Sequence, residues 1–308
     1  MTLKIFVTGG AGFIGSNTVK LLLDKGYDVT IYDNMSKGHK DLIDNRTNFI
    51  HGDLNDIELL NKSIKGHDSV IHFASLICVP ESVEKIKDYY DVNVTGSFNL
   101  LEAMRINSVK RIIFSSSAAI YGEPSKIPIE EEDLKIPKSP YGTFKLLVEQ
   151  LLYTFYLSYG INSISLRYFN AYGENELHEP ETHAIPNFIK NIMYDKPVDV
   201  FGDGNMVRDF IHVEDLAKAH IAALESDIRF GYYNVGSAKG TSVIDVLNII
   251  AELLNKKPNI NFHDPRKGDP QKLVACCDKI KRELKWEPKV DLREGLQRTI
   301  NFFEQISK

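Results

Sequence analysis

The sequence predicts an α/β fold, a doubly wound parallel sheet with a smaller α/β unit following it. Three observations carry the expectation. A short apolar strand, Leu3 to Thr8, runs into Gly9-Gly10-Ala11-Gly12-Phe13-Ile14-Gly15 and then into an amphipathic helix. Strand-like and helix-like segments alternate from there to Tyr168. Polar groups recur at the predicted strand ends: Asp33, Asp53, Ser75, Ser115 to Ser117 and Asn170. Sheets of this kind bind ligands beyond those ends.

Leu3 to Thr8 reads as a buried strand, an apolar β run closed by glycines. In the Gly-x-x-Gly-x-x-Gly turn, Gly9 allows a tight turn and Gly12 lets a backbone approach a pyrophosphate. Gly15 lets helix and strand pack closely. The helix continues through Leu23 and stops at Gly26, and its N-terminal N–H groups suit an anion. A second strand, Asp28 to Tyr32, ends in Asp33, 24 positions after Gly9. A carboxylate there accepts hydrogen bonds from adenosine ribose hydroxyls and repels a 2′-phosphate, so NAD is expected rather than NADP. The unit is of the Rossmann type, although its glycine spacing differs from the G-x-G-x-x-G of ordinary dehydrogenases.

The alternation continues with a strand at Asn48 to His51, a helix at Asp56 to Ile64 and a strand at Ser69 to Phe73. Pro80 opens a long helical region that runs to about Ile106. Lys110 to Phe114 is a strand entering the serine run. Next, Ser139 and Pro140 are suited to the N-cap and first position of a helix that ends at Gly160. Phe144, Leu147, Val148, Leu151, Leu152 and Phe155 recur on it at helical spacing. Tyr141 and Lys145 are therefore one turn apart on one face. An ammonium beside a phenol favours the phenolate, so the tyrosine pKa is expected to fall from about 10 toward neutrality. Such a tyrosine is a base.

After Gly173 the elements become shorter and more loop-rich. Residues 1–173 are read as an NAD-binding unit and 174–308 as a smaller substrate-binding unit, with some strands of the latter rejoining the main sheet. The 308 residues carry a net charge of −5 with no Lys/Arg-dense segment, which argues against a nucleic-acid partner. No apolar run is long enough to span a bilayer, and the N-terminus enters its first strand without room for a signal peptide. Cys78, Cys276 and Cys277 are expected to be reduced thiols, consistent with a cytoplasmic setting, and no zinc spacing is present. His72 and His212 lie in apolar strands and read as satisfied core histidines.

Taken together, Thr8 to Gly15, Ser115-Ser116-Ser117, Tyr141-x-x-x-Lys145 and Arg167-Tyr168-Phe169-Asn170 resemble the extended short-chain dehydrogenase/reductase family. Asp33 to His39, Ile71 to Ala74, Tyr89 to Asn93, Glu181 to Pro186, Val207 to Val213, Gly268-Asp269-Pro270 and Trp286 extend the likeness over nearly the whole chain, toward the branch of UDP-glucose 4-epimerases. The resemblance implies that Tyr141 is the acid/base, Lys145 its electrostatic partner and Ser117 a hydrogen bond to the sugar 4-oxygen. It implies NAD contacts at Gly9, Gly12, Phe13, Ile14, Gly15, Asp33, Asn34, Met35, Ser36, Lys37, Gly38, Asp53, Leu54, Phe73, Ala74, Ser75, Asn93, Ser115, Tyr141, Lys145 and Phe169. UDP-sugar contacts are implied at Ser117, Tyr141, Asn170, Ala184, Ile185, Phe201, Arg208, Arg266, Asp269 and Leu273. Arg208 could instead pair with Asp209 at the surface, and Phe201 could be core. A homodimer through the helices near 93–106 and 145–159 is implied as well.

The chain departs from the pattern in places. Ile77 stands where many relatives have an NAD-contacting lysine, and Ala119 where many have threonine. Leu273 replaces a tyrosine that limits the sugar pocket in some relatives, leaving space for a 2-acetamido group. Epimerisation of UDP-N-acetylglucosamine is therefore an alternative to that of UDP-glucose and UDP-galactose; UDP-glucuronate epimerisation is another, and it needs a carboxylate-binding group that the sequence does not reveal. A 4,6-dehydratase needs an Asp-Glu pair where Ala118-Ala119 stands. A catalytically silent NAD-binding regulator is the alternative from another class, opposed by the intact Ser117, Tyr141 and Lys145 set.

Overall fold

The computed structural model describes residues 2–177, 183–265 and 270–307. Its first half alternates as the sequence does: β1 (Lys4–Thr8), α1 (Phe13–Asp24), β2 (Asp28–Asp33), β3 (Asn48–His51), α2 (Ile57–Ile64) and β4 (Ser69–His72). Apolar runs such as Ile5-Phe6-Val7 become strands buried on both faces, as parallel strands between helices must be.

The helical region expected from Pro80 to Ile106 is present, divided into several pieces. It consists of α3 (Val79–Glu84), α4 (Ile86–Tyr90), a π-helical turn at Asp91–Thr95 and α5 (Gly96–Ile106). The break at Lys85 leaves helical geometry (φ −117°, ψ 48°), and the π turn inserts a residue that brings Asn93 inward, where it is buried. Such turns are short and concentrate at functional sites.

After β5 (Arg111–Ser117) comes α6 (Pro140–Tyr159), capped as expected. Ser139 Oγ accepts from the Gly142 N–H at 3.2 Å, Pro140 opens the helix, and Gly160 closes it in the left-handed region at φ +64°. β6 (Asn162–Tyr168) and β7 (Asn170–Tyr172) follow, then α7 (Ala184–Met193), β8 (Val198–Phe201), β9 (Val207–His212) and α8 (Val213–Glu225). β10 (Phe230–Val235), β11 (Gly240–Ser242), α9 (Val243–Leu253), β12 (Ile260–His263), β13 (Lys272–Leu273), α10 (Asp278–Leu284) and α11 (Leu292–Ile306) complete the described elements.

Seven parallel strands form the main sheet in the order β10-β6-β5-β4-β1-β2-β3. The order reverses between β1 and β4, and a crevice opens there beyond the strand ends. β10 lies far along the chain yet pairs with β6 from Phe230 opposite Ser163 to Val235 opposite Tyr168. α8 packs against α1, so part of the later chain covers one face of the sheet. The second unit is built on β9, which pairs with β7, β11 and β13, and on a parallel β8–β12 pair. Its core, Phe188, Ile189, Val198, Val246, Leu247 and Phe303 among others, is separate from the two cores on either side of the main sheet.

Candidate active site

A cavity of roughly 440 Å³ occupies the crevice at the β1/β4 reversal. Four chain segments wall it: the Gly9 to Gly15 turn, Asp33 to His39, Gly52 to Asn55 and Phe73 to Cys78. Gly9 sits at φ +71°, and a Cβ there would stand 2.5 Å from the Ala74 nitrogen. A Cβ on Gly15 would stand 2.2 Å from the Gly9 carbonyl oxygen, so only glycine lets α1 begin this close to the turn. No side chain caps the N-terminus of α1, whose first residues Phe13, Ile14 and Gly15 line the cavity.

Asp33 closes β2. One carboxylate oxygen accepts from the Ala11 N–H at 3.0 Å and the other from the Met35 N–H at 2.9 Å. The side chain is thus fixed with lone pairs to spare at the cavity wall. Asp53 is held similarly, accepting from Asn34 Nδ2 at 2.6 Å. Asn93 lies behind the wall. Its amide accepts from the Leu76 N–H at 2.8 Å and donates to the Leu76 carbonyl at 2.9 Å, clamping the segment after β4. A crevice with a glycine turn, a helix N-terminus at its wall and a fixed acidic group at β2 fits a dinucleotide.

At the inner end the faces of α6 and β5 meet. Tyr141 and Lys145 are both buried, and Ser117 hydrogen-bonds the Tyr141 hydroxyl. Lys145 Nζ donates to the Ser115 carbonyl at 2.7 Å and stands 5.8 Å from the centre of the Tyr141 ring. Ser115 lines the cavity, whereas Ser117, Tyr141 and Lys145 are not on its wall, and Lys145 reaches it through the Ser115 carbonyl. The expected lowering of the phenol pKa is not what this geometry yields. Burial pushes Tyr141 up to about 12, only partly countered by the Ser117 hydrogen bond. Burial likewise pulls Lys145 down to about 7, opposed by the Glu149 carboxylate. Helical spacing had brought the pair together, but desolvation outweighs their mutual attraction.

The other sugar-side residues are spread over the second unit. Asn170 begins β7 and is exposed, and its neighbour Ala171 lines the cavity. Ala184 opens α7 half-buried, whereas the Ile185 side chain belongs to the core of the second unit. Phe201 ends β8 half-buried and stacked on His263, with ring centres 5.3 Å apart. Arg208 is buried, donating to the Val207 carbonyl at 3.0 Å. Its expected alternative, a surface pair with Asp209, is not formed. Asp209 is itself buried and accepts from the Ser237, Ala238 and Ala275 N–H groups, because neighbours on a strand face opposite ways. Leu273 pairs beside Arg208 in the β13–β9 register and packs with the cluster around Ile120 and Phe169. Phe169 is buried in that cluster rather than on the cavity wall. Arg266 and Asp269 lie outside the described residues.

Sequence reasoning missed the α3 contribution: Pro80, Glu81, Glu84 and Lys85 line the mouth, as do Asn175, Leu177 and His183 after β7. Pro80, opening a helix in the loop region that follows β4, was the available signal for the former. His72 and His212 are buried as expected, with His72 between the hydroxyls of Thr8 (2.7 Å) and Ser97 (2.9 Å). Among the described residues no helix is long and apolar enough to cross a membrane, and no acidic, His or Cys cluster could hold a metal.

The chain is 42% identical over 305 residues to a UDP-glucose 4-epimerase of Halalkalibacterium halodurans, covering 93% of this chain and 91% of that one. Its fold matches a Thermotoga maritima UDP-glucose 4-epimerase solved with UDP-glucose, with TM-score 0.96, 35% identity and coverage of 99% and 100%. It also matches a UDP-N-acetylglucosamine 4-epimerase of Methanobrevibacter ruminantium in complex with UDP-N-acetylmuramic acid, with TM-score 0.94, 35% identity and coverage of 99% and 100%. The family model for the NAD dependent epimerase/dehydratase family matches residues 5–236. The crevice, the Tyr141–Lys145 face and these likenesses together place the chain in the NAD dependent epimerase/dehydratase family.

Proposed function

We propose that the chain is a UDP-hexose 4-epimerase, interconverting UDP-glucose and UDP-galactose through a 4-keto sugar, with residues 1–173 serving mainly NAD and 174–308 mainly the UDP-sugar. The observation that carries this reading is the Tyr141 hydroxyl, hydrogen-bonded by Ser117 beside Lys145 at the inner end of the dinucleotide crevice. NAD, held by the Gly9 to Gly15 turn, Asp33 and the residues after β4, supplies a reversible hydride acceptor and a positive charge beside the phenol. Tyr141 takes the proton of the sugar 4-hydroxyl through its Oη and later returns it. Ser117 steers both partners of that transfer. Lys145, as an ammonium, opposes the desolvation that otherwise keeps Tyr141 neutral. Arg208, with Arg266, holds the diphosphate, and Phe201 offers a face to uracil.

The test is to incubate the purified protein with UDP-galactose, UDP-N-acetylgalactosamine and UDP-glucuronate and follow the C4 epimers by NMR. Formation of UDP-glucose is expected, and turnover of none would overturn the reading. A second reading, acceptance of N-acetylated sugars, is favoured by Leu273 beside Arg208. UDP-N-acetylglucosamine turnover is then expected in the native chain and a drop of at least about ten-fold in Leu273→Tyr. Equal, negligible rates in both would remove it.

A homodimer in the cytoplasm completes the proposal. Phe98 on α5 and Leu147 and Leu157 on α6 are exposed on neighbouring helices, an apolar face suited to a second copy.

A further inference from the structure

The face of α6 that carries Tyr141 and Lys145 continues, one turn further on, to Glu149. These three side chains meet three consecutive residues at the end of β5. Tyr141 takes a hydrogen bond from Ser117, Lys145 donates to the Ser115 carbonyl, and Ser116 Oγ donates to Glu149 Oε1 at 2.6 Å. Glu149 is wholly buried, and its second anchor is Arg167 on β6. Arg167 Nε donates to Oε1 at 3.0 Å and a terminal nitrogen to Oε2 at 2.8 Å. The other terminal nitrogen donates to the Tyr121 hydroxyl at 2.8 Å and the Glu131 carbonyl at 2.9 Å. The guanidinium lies 4.6 Å from the centre of the Tyr232 ring. Both side chains are buried, and every nitrogen and oxygen of the pair has a hydrogen-bond partner.

A buried ion pair is poor evidence of stabilisation, because apolar replacements of equal volume are often as stable. A reason for keeping charge here lies in what stands above it. We propose that Glu149 is a positioning residue of the epimerase reaction: it sets the register of α6 on the end of β5 and keeps a negative charge one turn from the Lys145 ammonium. This rests on Tyr141 and Lys145 carrying the proton transfer.

Lys145 faces His72 on β4, the Phe114 ring on β5, and Tyr141 and Glu149 on its own helix. Of these, Glu149 is the one carboxylate that favours the charged lysine, since His72 is held neutral by burial. Glu149 in turn is faced by Arg167, Tyr121, Tyr232 and Lys135 from the elements around it. Removing its charge takes away the carboxylate that opposes desolvation, so Lys145 surrenders its proton at lower pH and the ammonium beside Tyr141 is lost sooner.

The test uses the holoenzyme and UDP-galactose, reading kcat and KM across pH. In Glu149→Gln, kcat is expected to fall by about ten-fold or more with KM within about two-fold, and the alkaline limb of the profile to move to lower pH. The double variant Glu149→Gln/Arg167→Met removes the unpaired guanidinium and keeps the packing. It is expected to melt near the native chain and still show the shifted limb. Ser116→Ala, which cuts one tether and leaves the charge, is expected to lower kcat by about three-fold or more without moving the limb. A double variant whose profile superimposes on the native one, or a Ser116→Ala chain with native kcat, overturns the proposal. Tyr141→Phe in the same assay checks the reading beneath it, for retained turnover there would instead remove Tyr141 as the proton carrier.

Discussion

Burial drives Tyr141 and Lys145 toward their neutral forms, and each is opposed by one specific contact, Ser117 for the phenol and Glu149 for the ammonium. The spacing of the two residues was legible in the sequence because four positions on a helix is a local relation. The sign of the phenol's shift was not, because desolvation depends on β5, on α3 and on Phe114, which reach the site from elsewhere in the chain. The same field acts on His72, which burial and Lys145 together lower to about 3. Its folded pKa lies below the unfolded value of about 6.5, so the unfolded chain binds more protons between the two. The stability that His72 contributes is complete above pH 6.5 and is lost as pH falls toward 3. Urea unfolding at pH 7 and pH 5 should show a smaller difference between the two in His72→Gln than in the native chain. His220, lowered to about 4 by burial, preserves part of the dependence in that variant.

At the scale of elements, the glycine turn and the capped helix were readable since turn and cap chemistry is written in adjacent residues. The division between α3 and α5 was not. Apolar spacing from Pro80 to Ile106 stays compatible with one helix, and a π turn adds a residue without any change of composition. Asn93 could therefore be singled out by resemblance, while its clamp on Leu76 could not be foreseen. Arg167 was noticed only as part of a strand motif, because its partner Glu149 lies 18 residues earlier on a different element. The tight contact of α1 with the glycine turn carries its own prediction. Gly15→Ala places a methyl group against the Gly9 carbonyl, so the turn must open. The purified variant should carry at most about a tenth of the native NAD content, measured by absorbance after acid release, with its far-UV circular dichroism retained.

For the whole molecule, the doubly wound parallel sheet and a ligand site beyond its strand ends followed from the alternation of elements, whereas the strand order came only with the structure. What pattern could not show was which later strands rejoin the sheet, since β10 reads like any other short apolar strand. The outer faces of α5 and α6 predict an oligomeric state that light scattering can read. Phe98→Glu/Leu157→Glu should halve the solution mass while leaving the crevice, on the far side of α6, able to hold NAD.

The late return of β10 to the edge of β6 has a genetic consequence. A gene fragment ending at residue 173 encodes six strands of the main sheet and leaves the β6 edge, with Ile164, Leu166 and Tyr168, bare. Such a fragment should precipitate when expressed alone. Co-expressed with a second fragment starting at residue 174, which brings α8 and β10, it should be recovered as a soluble pair, as in a split-protein reporter. Recovery of the first fragment alone in soluble, monomeric form would show that the seventh strand is dispensable to it.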